Sequence, residues 1–228
     1  MTEHPILFNG EMVRAILDGR KTVTRRVIKP QTDASEVYGP EMYEPTAIDR
    51  HGEECAGKLI FGVYDDSGEW GVKCPYGAPG HKLWVRETWA YDAPNLDMCR
   101  ASHEDVMGGQ YHPYYKSTAD QFDIDSLKWR PSIHMPRWAS RITLEVLSVR
   151  VERVQDISEE EAKAEGCVND VKLLYGQMAG PIDYIGLYAT ERFETLWDSI
   201  NAKRGYSWDL NPWVWCVDFK RVGNADQA

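Results

Sequence analysis

The chain has no Cys-x-x-Cys pair, no excess of basic residues, no long apolar run and no internal repeat. Each absence closes off a class of function. Its five cysteines (Cys55, Cys74, Cys99, Cys167, Cys216) are odd in number and scattered, which is not the framework of a disulfide-stapled secreted domain. With no leader-like segment after Met1, reduced thiols in a cytoplasmic compartment are expected. His51, Cys55, Cys74 and His81 match no standard zinc spacing, so neither a metal nor a cofactor is expected. No segment approaches the roughly 20 apolar residues of a membrane span, and no membrane partner is expected. A formal charge of −10 excludes a surface coated in basic residues. Any contact with nucleic acid must therefore be local, because phosphates need positive charge where the strand lies.

What is present is a chain able to fold. At 228 residues, 43% hydrophobic and with nine tryptophans, it can bury a sizeable core. A single domain spanning 1–228 is expected, with insertions at about 31–79, 91–137 and 167–188. The organising stretch runs from Gly19 to Arg26. Before it, Met12, Val13, Ile16 and Leu17 share one helical face, with Asn9 as N-cap and Gly19 as left-handed terminator. After it, Thr22, Val23 and Thr24 favour extended chain. One spot thus receives Arg20, Lys21, Arg25 and Arg26, and crowded like charges require an anion or a carboxylate to meet them.

Pro5–Phe8 reads as a first strand and residues 24–28 as a second, ended by Lys29-Pro30. Residues 31–57 are polar and punctuated by Gly and Pro, which predicts loop. Lys58–Tyr64 and Glu69–Lys73 flank Asp65-Asp66-Ser67-Gly68, the pattern of a β-hairpin. In Leu83–Trp89, alternation puts Leu83, Val85, Glu87 and Trp89 on one face. A carboxylate on an apolar face calls for an ion pair with an arginine or a place in a ligand site. Between Lys128 and Trp138, two prolines frame Trp129, Arg130, Arg137 and Trp138 in an ordered, extended loop. Those side chains either stack on a base beside a phosphate or plug the core.

Arg141–Val154 is the longest strand pattern. Ile142, Leu144 and Val146 hold one parity and Leu147, Val149 and Val151 the other, which predicts a bulge or a break. Ser158 and Glu161 form a capping box for a short helix closed by Gly166. Glu165 then lies in the last turn, at the negative end of the helix dipole. It is either a misplaced surface residue or a carboxyl awaiting a cation. Thr190 is the candidate cap of a helix carrying Phe193, Leu196, Trp197 and Ile200. Trp213–Phe219, with large apolar residues at odd positions, reads as a core-facing last strand. Five or six strands with two or three short helices predict an α+β fold, a small β-barrel covered by helices.

The spacing Gly19-x-Lys21-x-x-Thr24-x-Arg26 resembles the G-x-K-x-x-T-x-R signature of the ASCH domain family, within the PUA-like superfamily. The element order around it agrees with that family, and the segment Leu83–Trp89 with the Trp129–Trp138 loop is similar to a longer branch found in bacteriophages and prophages. The resemblance implies a PUA-like barrel and a setting in the bacterial cytoplasm. It also implies kinship with amidohydrolases that remove the acetyl group of N4-acetylcytidine. Carried over by position, it implies Thr24 as nucleophile, Lys21 as its base and Glu165 as the acid. Substrate or single-stranded RNA or DNA would then meet Arg20, Arg25, Arg26, Glu87, Trp89, Trp129, Arg137 and Trp138. The alternative within the same family is an RNA- or DNA-binding reader of modified bases, or a ribonuclease, using the arginine cluster.

Overall fold

A computed structural model describes residues 2–68, 70–91, 113–167 and 188–222. The chain divides into two compact units: Met1–Gly19 with Pro75–Leu147 and Phe219–Ala228, and Arg20–Cys74 with Ser148–Asp218. Strands and helices are mixed in an α+β arrangement, and among the described residues the sheets are open, with no ring of strands closing on itself.

In the first unit, strand β1 (Glu3–Leu7) runs parallel to β8 (Lys82–Arg86), from Glu3↔Lys82 to Leu7↔Arg86. The start of β11 (Thr143–Arg153) pairs antiparallel with the other side of β8. A parallel β1–β8 pair requires a crossover, and helix α1 (Gly10–Leu17) begins it. Asn9 caps α1 as expected, accepting from the Met12 N–H at 2.8 Å, and Gly19 ends it at φ 73°. Leu83, Val85, Ile142, Leu144, Ile6 and Phe8 are buried, so the alternation read in the sequence is the core face of this sheet.

In the second unit, β2 (Val23–Val27) pairs antiparallel with β12 (Trp213–Arg221), from Val214↔Val27 to Asp218↔Val23. Helix α3 (Glu159–Ala164) carries the expected Ser158–Glu161 capping box, and α4 (Ala189–Asn201) packs Phe193 and Trp197 against Val214 and Cys216. The predicted hairpin forms as β6 (Ile60–Asp65) with β7 (Gly71–Lys73).

Several expectations are corrected. Residues 31–57 are not plain loop: β3 (Val37–Tyr43) pairs with β6, and β4 (Thr46–Ile48) with β5 (Glu54–Ala56). Gly39 and Pro40 hide β3, because they sit at a register shift between Tyr38 and Glu41. Gly39 is at φ +93°, and a Cβ there would meet the Gly62 carbonyl oxygen at 2.7 Å. Leu83–Trp89 is not one strand; it stops at Arg86, and β9 (Trp89–Tyr91) pairs instead with β10 (Pro113–Tyr115), inside the segment read as insertion. Asp120 caps a further helix there, α2 (Gln121–Ser126).

The loop from Lys128 to Trp138 is ordered but contains 3₁₀ turns at Ser132–His134 and Arg137–Ala139. Strand β11 is unbroken, and its buried parity changes from Val146 to Val149, where it passes from one unit into the other. The cap of α4 is Tyr188 with Glu191, not Thr190. In β12 the even residues Val214 and Cys216 are buried as well as the odd ones, so both faces of that strand are covered. Most of the expected insertion 167–188 lies outside the described residues.

Candidate active site

The signature opens the second unit. Gly19 ends α1, and the strand does not begin until Val23, so Lys21 belongs to the connecting segment. The Thr22 N–H donates to the Ala164 carbonyl at 2.8 Å and fastens that segment to the end of α3. This frees Lys21 from strand alternation, which would otherwise turn Lys21 and Thr24 to opposite faces. Lys21 is 2% exposed, Thr24 1% and Glu165 3%.

Glu165 is the hub. Lys21 Nζ donates to its backbone oxygen at 2.9 Å and to Oε2 of its carboxylate. Oε1 accepts from the backbone N–H of Arg25. That N–H belongs to the peptide joining Thr24 to Arg25, so the Thr24 backbone lies one peptide unit from the Lys21–Glu165 pair. The cation that the negative end of α3 called for is therefore Lys21. Burial pushes the Lys21 ammonium below its usual 10.5, against the pull of Glu165, and Arg26 adds to the lowering. Cys167, two residues on, is pushed up to about 11 by its own burial, which keeps its thiol protonated.

The three signature arginines part company. Arg20 is exposed and Arg26 half-buried. Arg25 turns inward: its Nη2 lies 3.0 Å from both Glu152 Oε2 and Glu161 Oε2, with a side chain wholly shielded from solvent. Arg150 extends this network, meeting Glu152 at 2.8 Å, Glu161 at 2.7 Å and Asp218 at 2.5 Å. Cys216 donates to Glu152 at 3.2 Å. Sequence reading did not single out Arg150, Glu152 or Asp218 as site residues. A signal existed, since Ser148, Arg150 and Glu152 form a polar stripe on one parity of an otherwise apolar strand.

The other candidates lie in the first unit. Glu87, 1% exposed, meets Arg141 through two bonds, Nε to Oε1 at 2.9 Å and Nη2 to Oε2 at 3.1 Å. Ser117 also donates to Oε2, and the Arg141 guanidinium lies 3.9 Å from the Tyr115 ring centroid. The ion pair expected of Glu87 is thus present. Trp89 is wholly buried and packs edge-on with Trp138 at 5.8 Å, beside Met135 and Ala139. Trp129 donates to the Ile124 carbonyl at 3.0 Å, and Arg137 pairs with Glu3 at 2.7 Å. Of the loop's two tryptophans, Trp138 packs against the buried Trp89, and Trp129 is half-buried against the Ile124 backbone. Among the described residues no group of three or more His, Cys, Asp or Glu is gathered so as to hold a metal ion, and no helix is long and apolar enough to cross a membrane.

Compared with known proteins, the chain matches no family model, no curated protein and no solved structure.

Proposed function

We propose that the chain is an amidohydrolase acting on an N4-acylated cytosine nucleoside or a related modified base, with the site centred on Lys21, Thr24 and Glu165. The observation that carries this reading is the closed contact of Lys21 with Glu165, whose carboxylate also binds the Thr24–Arg25 peptide. Lys21 and Glu165, 144 positions apart in sequence, are in direct contact, and Thr24 adjoins the peptide N–H that Glu165 also binds, which supports the roles that the signature resemblance implies. The PUA-like barrel and the phage or prophage setting belong to the same proposal and rest on that resemblance.

The chemistry follows from the pair. A threonine hydroxyl is a weak nucleophile until a base accepts its proton. In a buried lysine–glutamate pair, the proton can rest on the carboxyl and leave the amine neutral, and burial favours that neutral form of Lys21. Neutral Lys21 takes the Thr24 proton as Oγ1 attacks the acyl carbonyl carbon. Arg26 holds the same strand parity as Thr24 and is the cation placed to meet the developing oxyanion. Glu165 gives its proton to N4 as the C–N bond breaks, releasing cytidine and leaving the acyl group on Thr24. Water then attacks that ester while Glu165 takes its proton, the carboxylic acid departs, and Thr24 recovers its proton from Lys21, which restores neutral Lys21 and protonated Glu165.

The inward turn of Arg25 favours this reading over a nucleic-acid reader, because a buried, paired guanidinium is not a phosphate contact. The test is turnover of a panel of N4-acylated cytidines by wild type and Lys21→Ala. Release of cytidine by wild type alone supports the proposal. No turnover by either protein would retire it, and salt-dependent retention on single-stranded RNA would then support the reader.

A further inference from the structure

The first unit contains a cavity of about 420 Å³ beside the start of α1. That is within the range of small-molecule sites, about 300–1,000 Å³. Its wall includes Asn9, Glu11, Arg14, Thr88, Lys116 and Ser117. Three cations of this unit meet carboxylates, Arg137 with Glu3, Arg141 with Glu87 and Lys220 with Glu145, whereas others, such as Arg86, bond a backbone oxygen instead. Among the described residues neither Arg14 nor Lys116 has a carboxylate within ion-pair distance, although Glu11 lines the same cavity. Two cations at one concave wall attract an anion, and a guanidinium with an ammonium suits phosphate oxygens.

The Arg14 guanidinium and the main chain that carries Lys116 are both tied down. Arg14 Nη1 donates to the Ser117 backbone oxygen at 3.2 Å, and the Lys116 N–H donates to the Thr88 carbonyl at 3.0 Å. Ser117 is fixed in turn: its hydroxyl donates to Glu87 and accepts from Arg141 Nη2 at 3.0 Å. The buried Glu87–Arg141 pair therefore acts as the footing of this wall. Thr88 contributes a neutral hydroxyl, and Ile124 an apolar side against which a flat or aliphatic group can lie.

We propose that this cavity is a binding site for a small phosphate-bearing molecule, gripped by Arg14 and Lys116 with Thr88 as a neutral donor. It does not rest on the hydrolase reading, since every residue it uses belongs to the first unit. The test titrates the full chain, at low ionic strength, with inorganic phosphate, cytidine 5′-monophosphate and cytidine, following backbone amide signals by NMR. Both phosphate compounds should shift the amides of Gly10, Thr88 and Lys116, and cytidine should not. Arg14→Gln with Lys116→Gln, both on exposed side chains, should weaken binding about tenfold or more, and Lys116→Gln alone by part of that. Glu11→Gln, which removes the opposing carboxylate, should tighten it several-fold. Shifts by phosphate alone would define a free-phosphate site, whereas shifts larger for the nucleotide would define a phosphate monoester site. Absence of shifts at these amides in wild type, equal binding by the double variant, or cytidine binding as well as its phosphate would each overturn the proposal.

Discussion

Among the described residues each unit buries one glutamate beside one cation, and the cations differ. Glu87 is held by Arg141 through two parallel bonds and by a serine, with the guanidinium lying on a tyrosine ring. Glu165 is held by Lys21 and by a backbone N–H. An arginine keeps its proton in any protein environment, so the Glu87 cluster is electrostatically fixed. A lysine whose pKa burial lowers can give its proton up. Two carboxylates of nearly equal burial, 1% and 3% exposed, are thereby suited to different work. One braces a wall, and the other sits beside a lysine whose ammonium form is disfavoured by burial.

The largest effects should come from erasing that difference. Lys21→Arg keeps the charge and removes the exchangeable proton, so turnover should fall by about 100- to 10,000-fold, as for loss of a general base. Circular dichroism should show the fold retained. Lys21→Ala should lose activity at least as fully and also leave the Glu165 carboxylate unpaired, at a stability cost of about 3–5 kcal/mol by urea unfolding. In the first unit, Arg141→Ala strands Glu87 in the same way. Because Arg141 is itself partly exposed, the cost should sit at the lower end, about 3 kcal/mol. Arg141→Lys keeps the charge but loses the fork and the ring contact, and should cost about 1.5–3 kcal/mol.

The pH dependence separates the clusters more finely. Lys21 has a folded pKa lowered by burial from 10.5. Between the lowered value and 10.5, the unfolded chain binds a proton that the folded chain does not, so stability rises with pH across that window. The contribution is fully present above 10.5 and is lost as pH falls through the lowered value. Urea unfolding at a series of pH values should show this slope in wild type and not in Lys21→Met, whereas Arg141→Met should retain it. Turnover, which needs one proton held between Lys21 and Glu165, should fall as pH rises through that lowered value. The smallest effect is expected at Arg137, whose pair with Glu3 is exposed on both sides. Arg137→Ala should change stability by less than about 1 kcal/mol, with no change in turnover.

The parts of the molecule legible in the sequence are those set by local rules. Asn9, Gly19, Ser158 and Glu161 announced their helix ends, because caps satisfy orphan backbone groups within four residues. Glu87 was recognisable as a buried carboxylate from alternation alone. Its partner was not, since Arg141 is 54 residues away and only the sheet brings them together. Strand β3 was hidden by Gly39 and Pro40, whose role at a register shift depends on β6 across from it. Lys21 and Glu165 were linked through the signature resemblance and the dipole argument, while the Arg25 N–H that completes the hub was visible in neither. The stacking role considered for Trp129 and Trp138 could not be weighed without knowing that the Trp138 ring packs edge-on against Trp89.

The measurement that bears most directly on Lys21, Thr24 and Glu165 as one chemical unit is rapid-quench mass spectrometry of the protein mixed with N4-acetylcytidine. The account predicts one acetyl group on Thr24 in wild type during turnover, none in Thr24→Val, and none in Lys21→Arg. Turnover by wild type with no covalent species, and undiminished by Thr24→Val, would contradict it.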